Sequence, residues 1–401
     1  MQFHWQRPGY TLRELLAVVT LFCLLLAIVV PSVRSMRENA LRSQCSNNLR
    51  QTGLSLQNYH DVFRQFPPGA LHSGMAAEDD PPINAGLGPS WWYGLIPFQQ
   101  KGTLGDQLWL AQRAGATEFT ADAMTAAGLP AGLLTGEYYM LCPASPQWRM
   151  KPGTGPILLP SYVGIAGGCD IDPAAFEYRT VRQTAPDMVL SGANWLYHNR
   201  TKGTGAAAGG IVTNSGMLPP CESVRMADCT DGISNTMIVA EQSDWLRDRA
   251  RASGPKYRGD AGWTVGGTGA GGGFLSGTRR VDPVPEVTVP GGPPAPWGAD
   301  CWNLTVVRYP PNRTHVLGPS PLPGCSENHG INNPLQSAHR GGLFVVMVDG
   351  SVHFIQDGTD LEVLLRLAIR DDNPDQEQDP TARSSTAAKS IACCPGGGDR
   401  P

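Results

Sequence analysis

Four groups of residues in this chain have types and spacing that could do chemistry. The first is a lone carboxylate, Glu14, standing next to sixteen uncharged residues from Leu15 to Val30. A carboxylate at the edge of an apolar run is costly unless a cation meets it. The second is an oxygen-rich stretch, Asp228, Asp231, Asn235 and Glu241, whose side chains are of the kind that hold calcium. Its spacing is not that of an EF-hand loop. Turn formation at Asp231-Gly232 accounts for it without an ion, since Asp, Gly, Ser and Asn accept positive φ and bond their own backbone. The third is His339, with Asp349 ten positions on and Gly350 after it. The fourth is a set of ten cysteines. None forms a C-x-x-C, so a zinc ribbon or thioredoxin-like site is not indicated. Neither a G-x-S-x-G nor a histidine close in sequence to Cys142 or Cys169 offers a nucleophile with its base.

Two other stretches imitate sites. Gly-rich residues 262–277 lack the following lysine of a phosphate-binding loop and open no helix. The net charge of -4 leaves no basic footprint for nucleic acid. Only 16% of residues are charged, and 48 Gly with 35 Pro imply a loop-rich, β-rich body.

The elements that must position these groups begin with a helix. After the apolar run, Val33, Met36, Ala40, Cys45, Leu49, Leu56, Tyr59 and Phe63 recur at three- and four-residue steps, with a polar back between them. The reading is one helix from about Leu12 to Phe66, ended by Pro67-Pro68-Gly69. Its length would be about 80 Å, too long for a bilayer alone. Pro31 sits inside it and removes one hydrogen bond. The first half would cross a membrane and the second would pack on a head.

In the head, Met237 to Ala240 reads as a compact buried strand closed by Glu241. Leu343 to Val348 reads as a second strand, Asp349-Gly350 as a two-residue type I′ turn, and Ser351 to Ile355 as the return strand. This hairpin keeps His339 away from Asp349, so the two form no catalytic pair. His339 is read as a structural hydrogen-bonding residue near Asn332 or Asn333. Trp91 and Trp92 suggest a buried aromatic segment near the helix, and Leu361 to Ile369 a short helix folded back on the sheet. Cys221 with Cys229 and Cys301 with Cys325 bracket short loops and are plausible disulfides.

The N-terminal residues resemble a known signal. Gly9, Tyr10, Thr11, Leu12 and Glu14, followed by the apolar run and Pro31, look like the start of a type IV prepilin or type II secretion pseudopilin. Tyr10 stands where phenylalanine is commoner, and Arg13 where an aliphatic residue is usual. The resemblance implies cleavage between Gly9 and Tyr10 and methylation of Tyr10 by a prepilin peptidase. It also implies pairing of Glu14 with the N-terminal amine of a neighbouring subunit. Further along, residues 44–69, L-C-P-A-S-P at 141–146, S-Y-V-G-I-A-G at 161–167 and T-D-G-I-S-N-T-M-I-V-A-E at 230–241 occur in order. With His339, Asp349 and Gly350 as an H-x9-DG ending, they resemble a large bacterial family with prepilin-type N-termini and a domain of unknown function.

The resemblance implies an α+β, pilin-like fold in which a long N-terminal helix packs on an antiparallel β-rich head with long loops. The expected divisions are a leader at 1–9, the long helix at 10–66, the head at 67–370 and a disordered tail at 371–401. The expected role is that of a pseudopilin-like structural subunit, not an enzyme. It would sit single-pass in the inner membrane, with its head in the periplasm or extracellular space. Its expected partners are the prepilin peptidase and methyltransferase, like or related subunits and the membrane, with no nucleic acid. No cofactor is expected, calcium being the alternative. The rival reading is a membrane-tethered ligand-binding or hydrolytic head that borrows only the sorting signal.

Overall fold

The computed structural model describes residues 11–72, 87–98, 136–146, 158–171, 178–179, 196–199, 210–213, 215–220, 222–244, 302–313, 322, 325 and 331–371. The leader, Tyr10, the Gly-rich and Pro-rich stretches, Cys221, Cys301, Cys393, Cys394 and the tail lie outside the described residues.

Helix α1 runs Leu12–Phe63, 52 residues. Thr11 caps it: its hydroxyl accepts from the Glu14 amide, and the Glu14 carboxylate accepts from the Thr11 amide at 2.9 Å. This reciprocal pair satisfies two of the free amides that every helix start leaves. Pro31 lies within the helix without ending it. The helix stops a turn before Pro67, at Arg64, whose φ of 58° is left-handed and whose amide donates to the His60 carbonyl.

The chain continues as strands β1 (Ala70–His72) and β2 (Leu87–Ser90), then the short helix α2 (Trp91–Leu95). Ser90 caps α2, and Trp91 stacks on Trp92 with both rings fully buried. The Trp91 indole donates to the Asn303 carbonyl at 2.8 Å. Next come β3 (Tyr162–Gly168), β4 (Asp170–Ile171), β5 (Tyr178–Arg179), β6 (Leu196–Asn199) and β7 (Gly210–Thr213). The remaining strands are β8 (Met237–Glu241), β9 (Leu304–Val307), β10 (Gly342–Met347) and β11 (Val352–Gln356), before helix α3 (Leu361–Ala368).

The central sheet has the order β11-β10-β8-β3-β9. Neighbours from β11 to β3 are antiparallel, and β9 adds parallel to β3, so the sheet is mixed. Strands β3 and β8 are buried at every position, which requires cover on both faces. Helix α1 supplies one cover, packing Cys45, Leu49 and Leu56 with Tyr162, Ala166, Val239 and Val346. Helix α3 supplies the other, packing Leu364, Leu365 and Ala368 with Val163, Ile165, Ala240 and Val345. Val345 and Val346 face opposite layers, as strand alternation demands. The result is an α+β arrangement of helix, sheet and helix.

Two details of the sequence reading are corrected. Val33, Met36 and Ala40 do not face the head; the buried stripe of α1 begins at Cys45 and continues through Leu49, Thr52, Gly53 and Leu56. The β10–β11 hairpin does not turn through two residues. Val346 pairs with Val352, the Met347 amide donates to the Ser351 carbonyl and the Gly350 amide donates to the Met347 carbonyl. The loop is therefore Val348-Asp349-Gly350. Gly350 has φ 83°, while Asp349 is not among the residues of positive φ that a type I′ turn needs. A three-residue loop closed by a left-handed glycine fits these facts.

Candidate functional site

Glu14 stands apart at the start of α1, while the oxygen-rich stretch, His339 and Asp349 gather at two ends of the central sheet, and α1 spans both.

At one end the turn before β8 meets the β10–β11 loop. Asn235 Nδ2 donates to the Asp231 carbonyl at 3.1 Å, and its amide donates to the Gly232 carbonyl. Gly232 has φ 101°, which favours glycine. The amides of Val348 and Asp349 donate to the carbonyls of Thr236 and Ile233, tying the two turns together. Asp349 Oδ1 accepts from the Ser351 amide at 2.8 Å. Helix α1 seats here through Gly53 and through Gln57, whose side-chain amide donates to the Val348 carbonyl. A Cβ on Gly53 would come 2.9 Å from Val346 Cγ1 and 3.3 Å from Gly350 Cα. Asp231, Gly232, Asn235, Asp349 and Gly350 thus form a turn-on-turn seat for the helix. The oxygen-rich set does not close on a single point. Asp228 pairs with Arg225 at 2.6 Å, and Glu241 lies at the far end of β8, whose first residue, Met237, comes two after Asn235.

At the other end four distant segments converge. Helix α1 contributes Glu38, Arg42 and Cys45, spaced so that they share one face. The 3-10 turn Tyr138–Met140 delivers Leu141 and Cys142, and Asn48 Nδ2 fixes it by donating to the Leu141 carbonyl at 2.7 Å. Cys45 and Cys142 form a disulfide across 97 residues, with Cα atoms 5.1 Å apart. Strand β8 ends in Glu241. The loop before β10 delivers His339, whose amide donates to Ser337 Oγ at 3.0 Å. Ser243 locks that loop, its hydroxyl accepting from the Ala338 amide and its own amide donating to the Gln336 carbonyl.

His339 is the hub. Its Nδ1 lies 3.1 Å from Glu38 Oε1. Its Nε2 lies 3.5 Å from Cys142 Sγ and 4.0 Å from Glu241 Oε1. Phe344 stands edge-on to its ring at 5.6 Å. The side chains of His339 and Glu241 are fully buried. Glu241 accepts from the Ser243 hydroxyl and, at 3.1 Å, from the Phe344 amide. Burial pushes its carboxyl above the usual 4.5, against the pull of His339. Glu38 is half-buried, which pushes it up, yet hydrogen bonds from His339 and Arg42 hold it below the same value. Arg42 also lies over the Phe354 ring at 5.0 Å and donates to the Arg340 carbonyl. The ligand-type atoms of Cys45, Cys142, Glu241 and His339 all lie within 4.8 Å of one another.

The partners expected for His339 are thereby corrected. It bonds to neither Asn332 nor Asn333 but sits between two carboxylates and a cysteine sulfur. Proximity in sequence hid the Cys142–His339 approach, since 197 residues separate them. The disulfide was missed for the same reason. One signal existed: Cys45 and Cys142 are the cysteines of the motif segments at 44–69 and 141–146. Among the described members of the expected pairs, the Cys229 thiol bonds Thr236 Oγ1 at 3.2 Å and the Cys325 thiol donates to the Asn332 carbonyl at 3.2 Å. Their supposed partners, Cys221 and Cys301, lie outside the described residues.

An apolar N-terminal helix half-docked on a mixed-sheet head is the plan of a pilin-like, membrane-anchored protein. More particularly, the model of the family described as a protein of unknown function (DUF1559) matches residues 34–362, and the chain belongs to that family. No curated protein and no solved structure matches the chain.

Proposed function

We propose that the chain is a pseudopilin-like structural subunit. On this reading a prepilin peptidase cuts after Gly9 and Tyr10 becomes the methylated N-terminus. The apolar half of α1 holds the protein in the inner membrane, and the head stands outside the cytoplasm beside like or related subunits. The protein catalyses nothing; Gly9, Tyr10 and Glu14 serve processing and assembly.

The observation that carries this reading is the unequal cover of one helix. Every large apolar side chain of α1 from Leu12 to Val33 is exposed, whereas from Cys45 onward one face of the same helix, with Cys45, Leu49 and Leu56, is buried against the head. A continuous apolar cylinder of this length belongs in lipid or against other helices. The helix is long and apolar enough to cross a membrane. Glu14 lies at the end of that cylinder away from the head, already engaged with Thr11. The tethered-enzyme alternative needs Asp231, Glu241, His339 and Asp349 to converge on a cleft. They divide between the two ends of β8 and β10 instead, and His339 and Glu241 are both buried. That division supports the subunit.

Mass spectrometry of the mature N-terminus from native membranes tests the proposal. A chain starting at N-methylated Tyr10 is the expected result. A chain still starting at Met1 overturns the pilin pathway.

A further inference from the structure

The buried cluster has a second use that depends on the oxidation state of its cysteines. We propose that, when the Cys45–Cys142 disulfide is reduced, Cys45, Cys142, His339 and Glu241 bind a zinc ion, so that metal and disulfide are alternative clasps between α1 and the head.

Several observations point the same way. The ligand set is two sulfurs, one imidazole and one carboxylate, which is the N, S and O chemistry that zinc takes in four-coordinate sites. Their atoms already lie within 4.8 Å of one another. A tetrahedron with zinc–ligand bonds of about 2.0–2.3 Å has ligand–ligand edges of about 3.3–3.8 Å, so the widest-spaced donors would have to draw in by about 1 Å to close on an ion. All four residues are buried. His339 is also held as metal-ligating histidines are held. Its Nδ1 is fixed on the Glu38 carboxylate at 3.1 Å, which leaves Nε2 to face the sulfur and Glu241. Glu241 is fixed in turn by Ser243 and the Phe344 amide. The set comes from four separate segments, so occupancy would join the same elements that the disulfide joins.

The two states exchange with a simple balance. Reduction takes two electrons and two protons and breaks the S–S bond to give two thiols. A phosphine reductant supplies the electrons and leaves as the phosphine oxide, its oxygen drawn from water. Zinc then displaces the two thiol protons to solvent and is held by the thiolates. In the disulfide state the sulfurs are spent, and only His339 and Glu241 remain as donors.

The test uses the full chain in detergent, oxidised or reduced with a phosphine, with and without added zinc. The thiols are then alkylated and the modified cysteines located by peptide mass spectrometry. The expected result is that zinc protects Cys45 and Cys142 together in the reduced chain. Equal labelling of this pair with and without zinc overturns the proposal, whether the reduced chain stays folded or not. A cobalt titration gives the second reading. The reduced chain should take one more cobalt ion than the oxidised chain, with thiolate-to-cobalt charge transfer. Glu38→Gln should weaken that ion by about 10–100-fold, as loss of an orienting carboxylate does. An unchanged affinity in Glu38→Gln, or no additional ion on reduction, refutes the site.

Discussion

The two seats of α1 on the head are built from opposite materials. The seat at Gly53 and Gln57 is made of backbone: two tight turns, two left-handed glycines and a carbonyl. The seat at Glu38 to Cys45 is made of side chains from four segments, one of them 301 positions from its partner. The first seat follows from local chain chemistry and the second from the completed fold. A helix fixed at two points cannot swing about either, so the pair orients the free apolar half of α1 relative to the head.

The contrast can be broken at each seat. The largest effect is expected from Cys45→Ala with Cys142→Ala. A cross-link closing a loop of 97 residues restrains the unfolded chain by about 4.7 kcal/mol in the chain-entropy account. Denaturant unfolding of the full chain should show that loss; a drop below about 1 kcal/mol means the side-chain seat does not depend on the bond. Next comes Gly53→Leu, which drives a side chain into Val346 and the Gly350 backbone. Overpacking of this kind costs about 2 kcal/mol. Hydrogen exchange should rise at Val348 and Asp349 more than at Glu241, and uniform exchange would show that the seats are not separate units. Gly350→Ala is smaller, about 1 kcal/mol, because its φ of 83° strains any Cβ. If thermal melts of that variant match the parent, the loop adopts another turn. The smallest effect, about 0.5 kcal/mol, belongs to Arg42→Gln, since the ion pair with Glu38 is a third exposed. It should fade with added salt; a salt-independent loss would point instead to the Phe354 contact.

Sequence and structure agree best where neighbours in the chain determine the outcome. The periodic apolar stripe marks α1, and the run from Leu343 to Val348 marks β10, because helix and strand periods are local properties. Asp231-Gly232 and Asp349-Gly350 are legible as turns for the same reason, although the second turn proved one residue longer. The hairpin loop length depended on where pairing with β11 begins, at Val346 with Val352, and this is a cross-strand property. His339, Glu38, Glu241 and Cys142 could not be assembled from spacing. Their meeting requires α1 to lie along the sheet, and that follows from burying both faces of β3 and β8. Glu38 carries no mark in the sequence beyond being one charge on the polar side of a long helix.

The H-x9-D interval acquires a plain meaning from these two seats. From Glu38 to Gln57, α1 climbs about 28 Å. From His339 to Val348, the chain passes through the turn at Arg340 and Gly341 and then along β10, Gly342–Met347. Both intervals start at the Glu38–His339 bond and finish at the Gln57–Val348 bond, so strand and helix serve as two matched gauges laid side by side. One residue added to β10 would turn its faces over and advance it about 3.3 Å. Two added residues would keep the faces but overshoot by about 6.6 Å, more than a full helix turn. Neither change leaves both marks aligned, so the nine-residue gap is a calibrated length that drifts only if the helix is recut with it.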